Sequence, residues 1–273
     1  MFGPIYQYIS FTENFISFIF AVQILGMFSF FQKKVYLADY LHGMVDIHNH
    51  ILPGIDDGSK SVAESMELLR GFSELGVKKF ICTPHIMHNH YDNTPKTIKD
   101  SYELLVKDLE ATKDLELLLE FAAEHMVDDN FEDILEKGTI LPLDNEYLLI
   151  EMSYLQPSLN FDVAVEKIGK KGLFPILAHP ERYMYFHHKY GKYPKMKSQG
   201  VLFQANLLSL TSESYGEGVA KVTAKLLEDN LIDFVGSDVH NIRQLSALKE
   251  IKLSNKVLNR LLPIIERTIH TFY

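Results

Sequence analysis

Asp46-Ile47-His48-Asn49-His50 closes a short apolar run, and Asp56-Asp57-Gly58 follows closely. Side chains alternate faces along a strand, so His48 and His50 point the same way and offer two imidazoles to one ion. An HxH alone is a weak sign. Here five later segments repeat the arrangement: Thr83-Pro84-His85, Ala123-Glu124-His125, Glu151-Met152-Ser153, His179-Pro180-Glu181-Arg182 and Ser237-Asp238-Val239-His240. In each, an apolar run ends in a His, Asp or Glu. A chain whose strands keep ending this way is held to folds that gather strand ends at one place.

From Val45 onward, short apolar runs alternate with amphipathic stretches. Strands are expected at residues 45–48, 77–82, 115–122, 147–150, 174–178, 201–205 and 233–236. The first helix spans 61–75, where Val62, Met66, Leu69 and Phe72 recur at helical spacing and Gly76 stops it. Thr94 and Pro95 open the next as N-cap and first helical residue. Further helices are expected at 130–137, closed by Gly138, at 161–171, and from Gly216 to near Asn230. One long C-terminal helix is expected over most of 245–272.

This alternation implies a parallel sheet with crossover helices. The strands are nearly continuous apolar runs, as when both sheet faces are covered. An open doubly wound sheet would satisfy that too. The polar residues argue for closure: His48, His50, His85, Glu124, Glu151, His179, Asn206 and Asp238 all fall at strand C-terminal ends, which converge on one face of a barrel. The expected fold is α/β, a distorted seven-stranded TIM-like barrel.

Composition narrows the function classes. The 273 residues are 47% hydrophobic and 23% charged, enough for a sizeable core. The net charge is -9, with no strong Lys/Arg cluster, which disfavours nucleic acid. Cys82 is the only cysteine; this excludes an intramolecular disulfide and fits a cytoplasmic protein. Phe15 to Phe31 is almost wholly apolar, with Glu13 the only charged residue before Lys33. A signal peptide would need a positive start and a small-residue cleavage site, and a membrane span would be at its short limit. The expected organisation is an apolar segment at 1–26 outside the working protein, translation starting at Met27, a lead-in at 27–44 and a catalytic domain at 45–273.

The candidate ligands are His48, His50, Asp57, His85, Glu124, Glu151, His179, Asp238 and His240. Mixed imidazole and carboxylate ligands suit Mn, Fe or Zn rather than an all-oxygen Ca or Mg cage. Nine ligands are enough for three ions if one carboxylate bridges. His125 should point to the opposite face from Glu124 and be structural. His42, His88, His90, His187, His188 and His270 read as surface or rim residues. Cys82 lacks the arginine of a cysteine phosphatase, since position 88 is His. Arg182, three residues beyond His179, can hold a phosphate bidentately; the alternative is a salt bridge to a ligand carboxylate.

With these motifs in place, the chain from Val45 to its C-terminus resembles the polymerase-and-histidinol-phosphatase (PHP) superfamily. Pro53-Gly54-Ile55-Asp56-Asp57-Gly58 together with His179-Pro180-Glu181-Arg182 is similar to its bacterial capsular-polysaccharide protein-tyrosine phosphatases. The resemblance implies a trinuclear centre. His48, His50, Glu124 and Asp238 would bind the first ion; Glu124, Glu151 and His179 the second; Asp57, His85 and His240 the third. It further implies that Arg182 holds the phosphate, and that the substrate is phosphotyrosine on a bacterial tyrosine kinase controlling exopolysaccharide synthesis, with membrane contact only through that partner. Histidinol phosphatase is the nearest rival, and a non-catalytic metal-binding module of polysaccharide export is the rival from another class.

Overall fold

A computed structural model describes residues 34–112 and 115–273. The expectations for residues 1–26 and for a start at Met27 lie outside the described residues.

Along the chain, β1 (Val35–Tyr36) and β2 (Val45–Asp46) precede α1 (Val62–Ser73). Then come β3 (Lys79–Cys82), β4 (His85–Ile86) and α2 (Pro95–Ala111), followed by β5 (Leu118–Phe121), β6 (Glu124–Met126) and α3 (Phe131–Lys137). β7 (Tyr147–Glu151), α4 (Phe161–Lys170) and β8 (Phe174–Ala178) lead into two short helices, α5 (Met184–His187) and α6 (Lys192–Ser198). The last third holds β9 (Leu202–Asn206), α7 (Ser212–Glu228), β10 (Phe234–Gly236), α8 (Ile242–Lys249), β11 (Lys252–Leu253) and α9 (Asn255–Phe272).

Local chemistry sets several boundaries. Ser61 caps α1 by accepting from the Glu64 amide at 3.3 Å. Thr94 and Thr97 cap α2 reciprocally, with Pro95 in its first turn. Gly138 ends α3 in the left-handed region, at φ 68°.

The fold is mixed α/β. A six-stranded parallel sheet runs β10-β9-β8-β7-β6-β4, and a three-stranded parallel sheet runs β2-β3-β5. β4 follows β3 after Thr83-Pro84, and β6 follows β5 after Ala122-Ala123. Backbone bonding continues across both breaks, from the Ala122 amide to Cys82 O at 2.8 Å and from the Glu124 amide to Pro84 O at 3.1 Å. A parallel bridge between Asn49 and Val239 joins the other ends of the two sheets. Side chains from successive strands, among them Val45, Ile81, Leu149, Ile176 and Phe234, meet in a small buried cluster with Phe272 of α9. The larger core packs helices against the strands.

Two expectations need correction. The single C-terminal helix is two, α8 and α9, because the chain between them leaves the helix to form β11 and pair antiparallel with β1. Leu37 locks this ribbon by donating to Ile251 O at 2.9 Å, and Ser254 caps α9. The helix expected after Gly216 begins at Ser212 and kinks at Gly216, whose φ is 84°. The described part of the lead-in, residues 34–44, is built into the fold: Leu37, Leu41 and Met44 are fully buried or nearly so.

Candidate metal centre

The strand ends bring all nine candidate ligands to one cleft. Eight are buried or nearly so, while the side chain of Asp57 is half exposed. Ligand atoms fall into four overlapping groups within 4.8 Å: His50, Asp57, His85 and His240; His48, His179 and Asp238; His48, His50 and Glu124; His85, Glu124 and Glu151.

Glu124 is the hub. Its Oε2 lies 3.2 Å from His48 Nε2, 3.4 Å from His50 Nε2 and 3.2 Å from His85 Nδ1, and its Oε1 lies 3.0 Å from His179 Nε2. Asp238 Oδ1 lies 3.4 Å from both His48 Nε2 and His50 Nε2. Asp57 Oδ1 lies 3.4 Å from His85 Nε2 and from His240 Nε2. Glu151 Oε1 lies 2.9 Å from His85 Nδ1. The second expected group, Glu124, Glu151 and His179, is looser, with His179 Nε2 3.9 Å from Glu151 Oε2. His85 stands nearer that carboxylate.

Neighbouring residues fix the ring orientations. His48 Nδ1 donates to Gln204 Oε1 at 2.7 Å; Gln204 in turn donates to Asn206 Oδ1 at 3.0 Å, and Asn206 Nδ2 to Asp238 Oδ2 at 2.5 Å. His50 Nδ1 donates to Asp56 Oδ2 at 2.8 Å. With Nδ1 occupied, each ring turns its Nε2 lone pair inward. This separates the adjacent aspartates: Asp56 orients His50 and accepts from the Gly58 amide at 2.9 Å, while Asp57 faces the imidazoles of His85 and His240. Only glycine fits at 58, where a Cβ would meet His50 O at 2.0 Å. His179 and Asp238 both take left-handed backbone conformations, at φ 35° and 53°, a strain typical of functional positions.

The site demands positive charge. His48 Nε2, His50 Nε2, His85 Nδ1, Glu124 Oε2 and Glu151 Oε1 are buried with no hydrogen-bond partner among the described residues. Such lone pairs facing one another at short range fit a set of divalent cations. Burial alone would lower the pKa of His48, yet Glu124 and Asp238 raise it to about 8. Burial likewise opposes charge on His50 and His85, but nearby carboxylates, Asp56 and Glu151 foremost, hold both well above the usual imidazole range. Glu124 and Asp238 are held well below the usual carboxylate range despite burial, mainly by His48.

Arg182 lines the cleft beside this cluster. Its Nη1 donates to Asp238 Oδ2 at 2.7 Å, so the salt bridge weighed as an alternative is present. Its guanidinium also lies over the rings of Tyr154, 4.5 Å from the centroid, and Tyr215, 4.3 Å from the centroid. The Tyr154 hydroxyl lies 3.2 Å from His179 Nε2. The cleft encloses about 1190 Å³.

His125 points away from the centre, as its strand position implies. Nδ1 donates to Leu149 O at 3.0 Å and Nε2 accepts from the Leu141 amide at 3.2 Å. Cys82 is buried, which pushes its thiol pKa up and leaves it unreactive. His88 and His90 line the cleft rim. Sequence reasoning missed Gln204, Tyr154 and Tyr215 and gave Asn206 no partner. Only Asn206, at a strand end, carried a signal.

Comparison with known proteins agrees with this geometry. The family model for capsular polysaccharide synthesis proteins of the CpsB/CapC type matches residues 44–258. The chain is 31% identical over 201 residues to the tyrosine-protein phosphatase YwqE of Bacillus subtilis, covering 73% of this chain and 78% of the relative. It is 28% identical over 204 residues to the tyrosine-protein phosphatase CpsB of Streptococcus pneumoniae, covering 73% and 84%. Crystal structures of YwqE and CpsB, described as metal-dependent tyrosine phosphatases, give a match with a TM-score of 0.74 at 27% identity, covering 84% of this chain and 94% of the other. A histidinol phosphate phosphatase of Lactococcus lactis shares the fold, with a TM-score of 0.50 at 11% identity, covering 83% and 94%. Matched over most of its length by that model, this chain belongs to the CpsB/CapC family of capsular polysaccharide synthesis proteins.

Proposed function

We propose that the chain is a metal-dependent protein-tyrosine phosphatase that hydrolyses phosphotyrosine on a bacterial tyrosine kinase of capsular polysaccharide synthesis. The observation that carries this reading is one carboxylate, Glu124, facing four imidazoles beside Arg182 in an open cleft. The relatives' activity supports it. A single cysteine fits a reducing compartment, and we place the protein in the cytoplasm.

The residues suit three ions, Mn by preference, with Fe and Zn also matched to the donors. His48, His50, Glu124 and Asp238 would hold one, Glu124, Glu151 and His179 a second, and Asp57, His85 and His240 a third. Divalent ions there supply Lewis-acid stabilisation of phosphoryl charge and lower the pKa of water towards neutrality. Arg182, held by Tyr154, Tyr215 and Asp238, orients the phosphoryl group and balances its charge. Gln204 and Asp56 keep the His48 and His50 lone pairs aimed inward. A tyrosyl leaving group, with a pKa near 10, needs little protonation. The seven-stranded ring expected from the sequence follows if β3 with β4 and β5 with β6 count as single strands and the Asn49–Val239 bridge closes the circle. The catalytic unit then runs 45–273.

The test is phosphate release from a phosphotyrosine peptide, with Mn or with EDTA, and histidinol phosphate in parallel. Metal-dependent release from the peptide alone is expected. Release from histidinol phosphate alone would replace this reading with a small-molecule phosphatase.

A further inference from the structure

A second cavity, of about 280 Å³, opens beside the catalytic cleft. Pro157, Ser158 and Leu159 line both, so one short loop is the wall between them. The floor is apolar, with Phe161, Phe186 and Met196 nearly buried. The rim is basic, with Lys189, Lys192 and Lys195. This corrects the expectation of no strong Lys/Arg cluster. Residues 189–197 hold four lysines and no acid, in a chain of net charge -9. Lys197 is spoken for by Asp233, whereas Lys189 and Lys192 form no ion pair among the described residues. Asp162 is the one acid on the rim; Gln199 donates to it at 3.2 Å and Lys195 stands 4.0 Å away, so the rim keeps a net positive charge. On the dividing loop, Leu155 and Leu159 are 92% and 102% exposed, an apolar crest over which a peptide can lie.

We propose that this cavity is a substrate subsite taking an acidic side chain, carboxylate or phosphate, of the phosphotyrosyl protein, at a position a few residues from the phosphotyrosine in the catalytic cleft. The proposal rests on the phosphatase reading above. Charge complementarity selects an anion, the apolar floor accepts its stem, and the shared wall makes the two cavities reachable by one extended chain. A pocket of this size, near the lower bound of about 300 Å³ for ligand sites, suits one side chain rather than a whole cofactor.

The experiment uses the full chain loaded with Mn and three phosphotyrosyl peptides that differ only in the flanking residues: glutamates, glutamines, or one further phosphotyrosine. Wild-type protein should prefer the glutamate peptide over the glutamine peptide by about fivefold in kcat/KM, through KM, as two exposed charge contacts imply. Lys189→Gln/Lys192→Gln should abolish that preference while leaving turnover of the glutamine peptide and of free O-phosphotyrosine unchanged. These lysines are exposed, so the variant should fold. A larger, lysine-dependent gain from the second phosphotyrosine would support the subsite and identify phosphate as its anion; equal gains would support it with carboxylate sufficing. Equal kcat/KM for all three peptides, or a preference that survives the double substitution, would overturn it. Fluorescence anisotropy with the same peptides separates this inference from the one beneath it. If no peptide is hydrolysed, the phosphatase reading falls. Lysine-dependent binding of the glutamate peptide would then still support the subsite, and lysine-independent binding would overturn it.

Discussion

Arg182 bonds to Asp238 and lies over the faces of Tyr154 and Tyr215, and without it Asp238 keeps its bond from Asn206 Nδ2 at 2.5 Å. Arg182→Ala should therefore retain metal content by elemental analysis and lose about 10²- to 10³-fold in kcat, the usual cost of removing one preorganised charge-stabilising donor. Arg182→Lys should recover only part of this, because an ammonium lacks the planar fork that bonds a phosphoryl group bidentately. Gln204 acts one step back. Gln204→Met removes the acceptor for His48 Nδ1 and should weaken metal affinity about 10- to 100-fold, measured by competition with a chelator. At this scale eight of the nine candidate ligands were legible because they share one rule, an ionisable side chain at or just after the end of an apolar run; Asp57 lies instead in the loop that follows His50. Gln204 and Tyr154 obey no such rule. Each matters only for what stands opposite in space, 156 residues from His48 and 25 from His179. The left-handed backbone at His179 and Asp238 is likewise invisible to spacing arguments.

Among the elements, β6 and β7 are tied by a buried imidazole. His125 donates to Leu149 O and accepts from the Leu141 amide, and burial lowers its pKa to about 4. It is neutral in the fold, while the unfolded chain binds its proton below about 6.5. Stability from this group is thus complete above pH 6.5 and is lost as pH falls towards 4, by up to about 3 kcal/mol. Urea unfolding of chelated protein at pH 7 and pH 4.5 should show it, with a flatter pH dependence in His125→Gln. Helical spacing and Gly76 made α1 legible, and Thr94, Pro95 and Gly138, which act on their own backbone neighbours, did so for α2 and α3. The C-terminal helix was misread because Lys252 and Leu253 pair with Tyr36 and Val35, more than two hundred residues earlier, and no local periodicity reports that. β4 and β6, just beyond the expected strand ends at 82 and 122, were missed because each is only two or three residues long and pairs with a distant strand.

For the molecule as a whole, the concentration of buried acids and imidazoles at one end opposes folding unless positive charge is supplied. Ions that bind only the folded chain add to its stability by mass action. Chelation should lower the thermal unfolding midpoint, and restoring Mn should raise it in a concentration-dependent way, read by calorimetry. The bridge between the two sheets gives this a direction. Asn49 stands between His48 and His50, and Val239 between Asp238 and His240, so the only backbone pairing described between the ends of β2 and β10 is threaded through both ligand pairs. Two amides cross there, from Asp238 to His48 O at 2.7 Å and from His50 to Val239 O at 3.1 Å. The seam of the molecule and the seat of its chemistry are one place. A chain stripped of ions should come apart there first, so its Asp238 and His50 amides should gain deuterium while the helix amides remain protected.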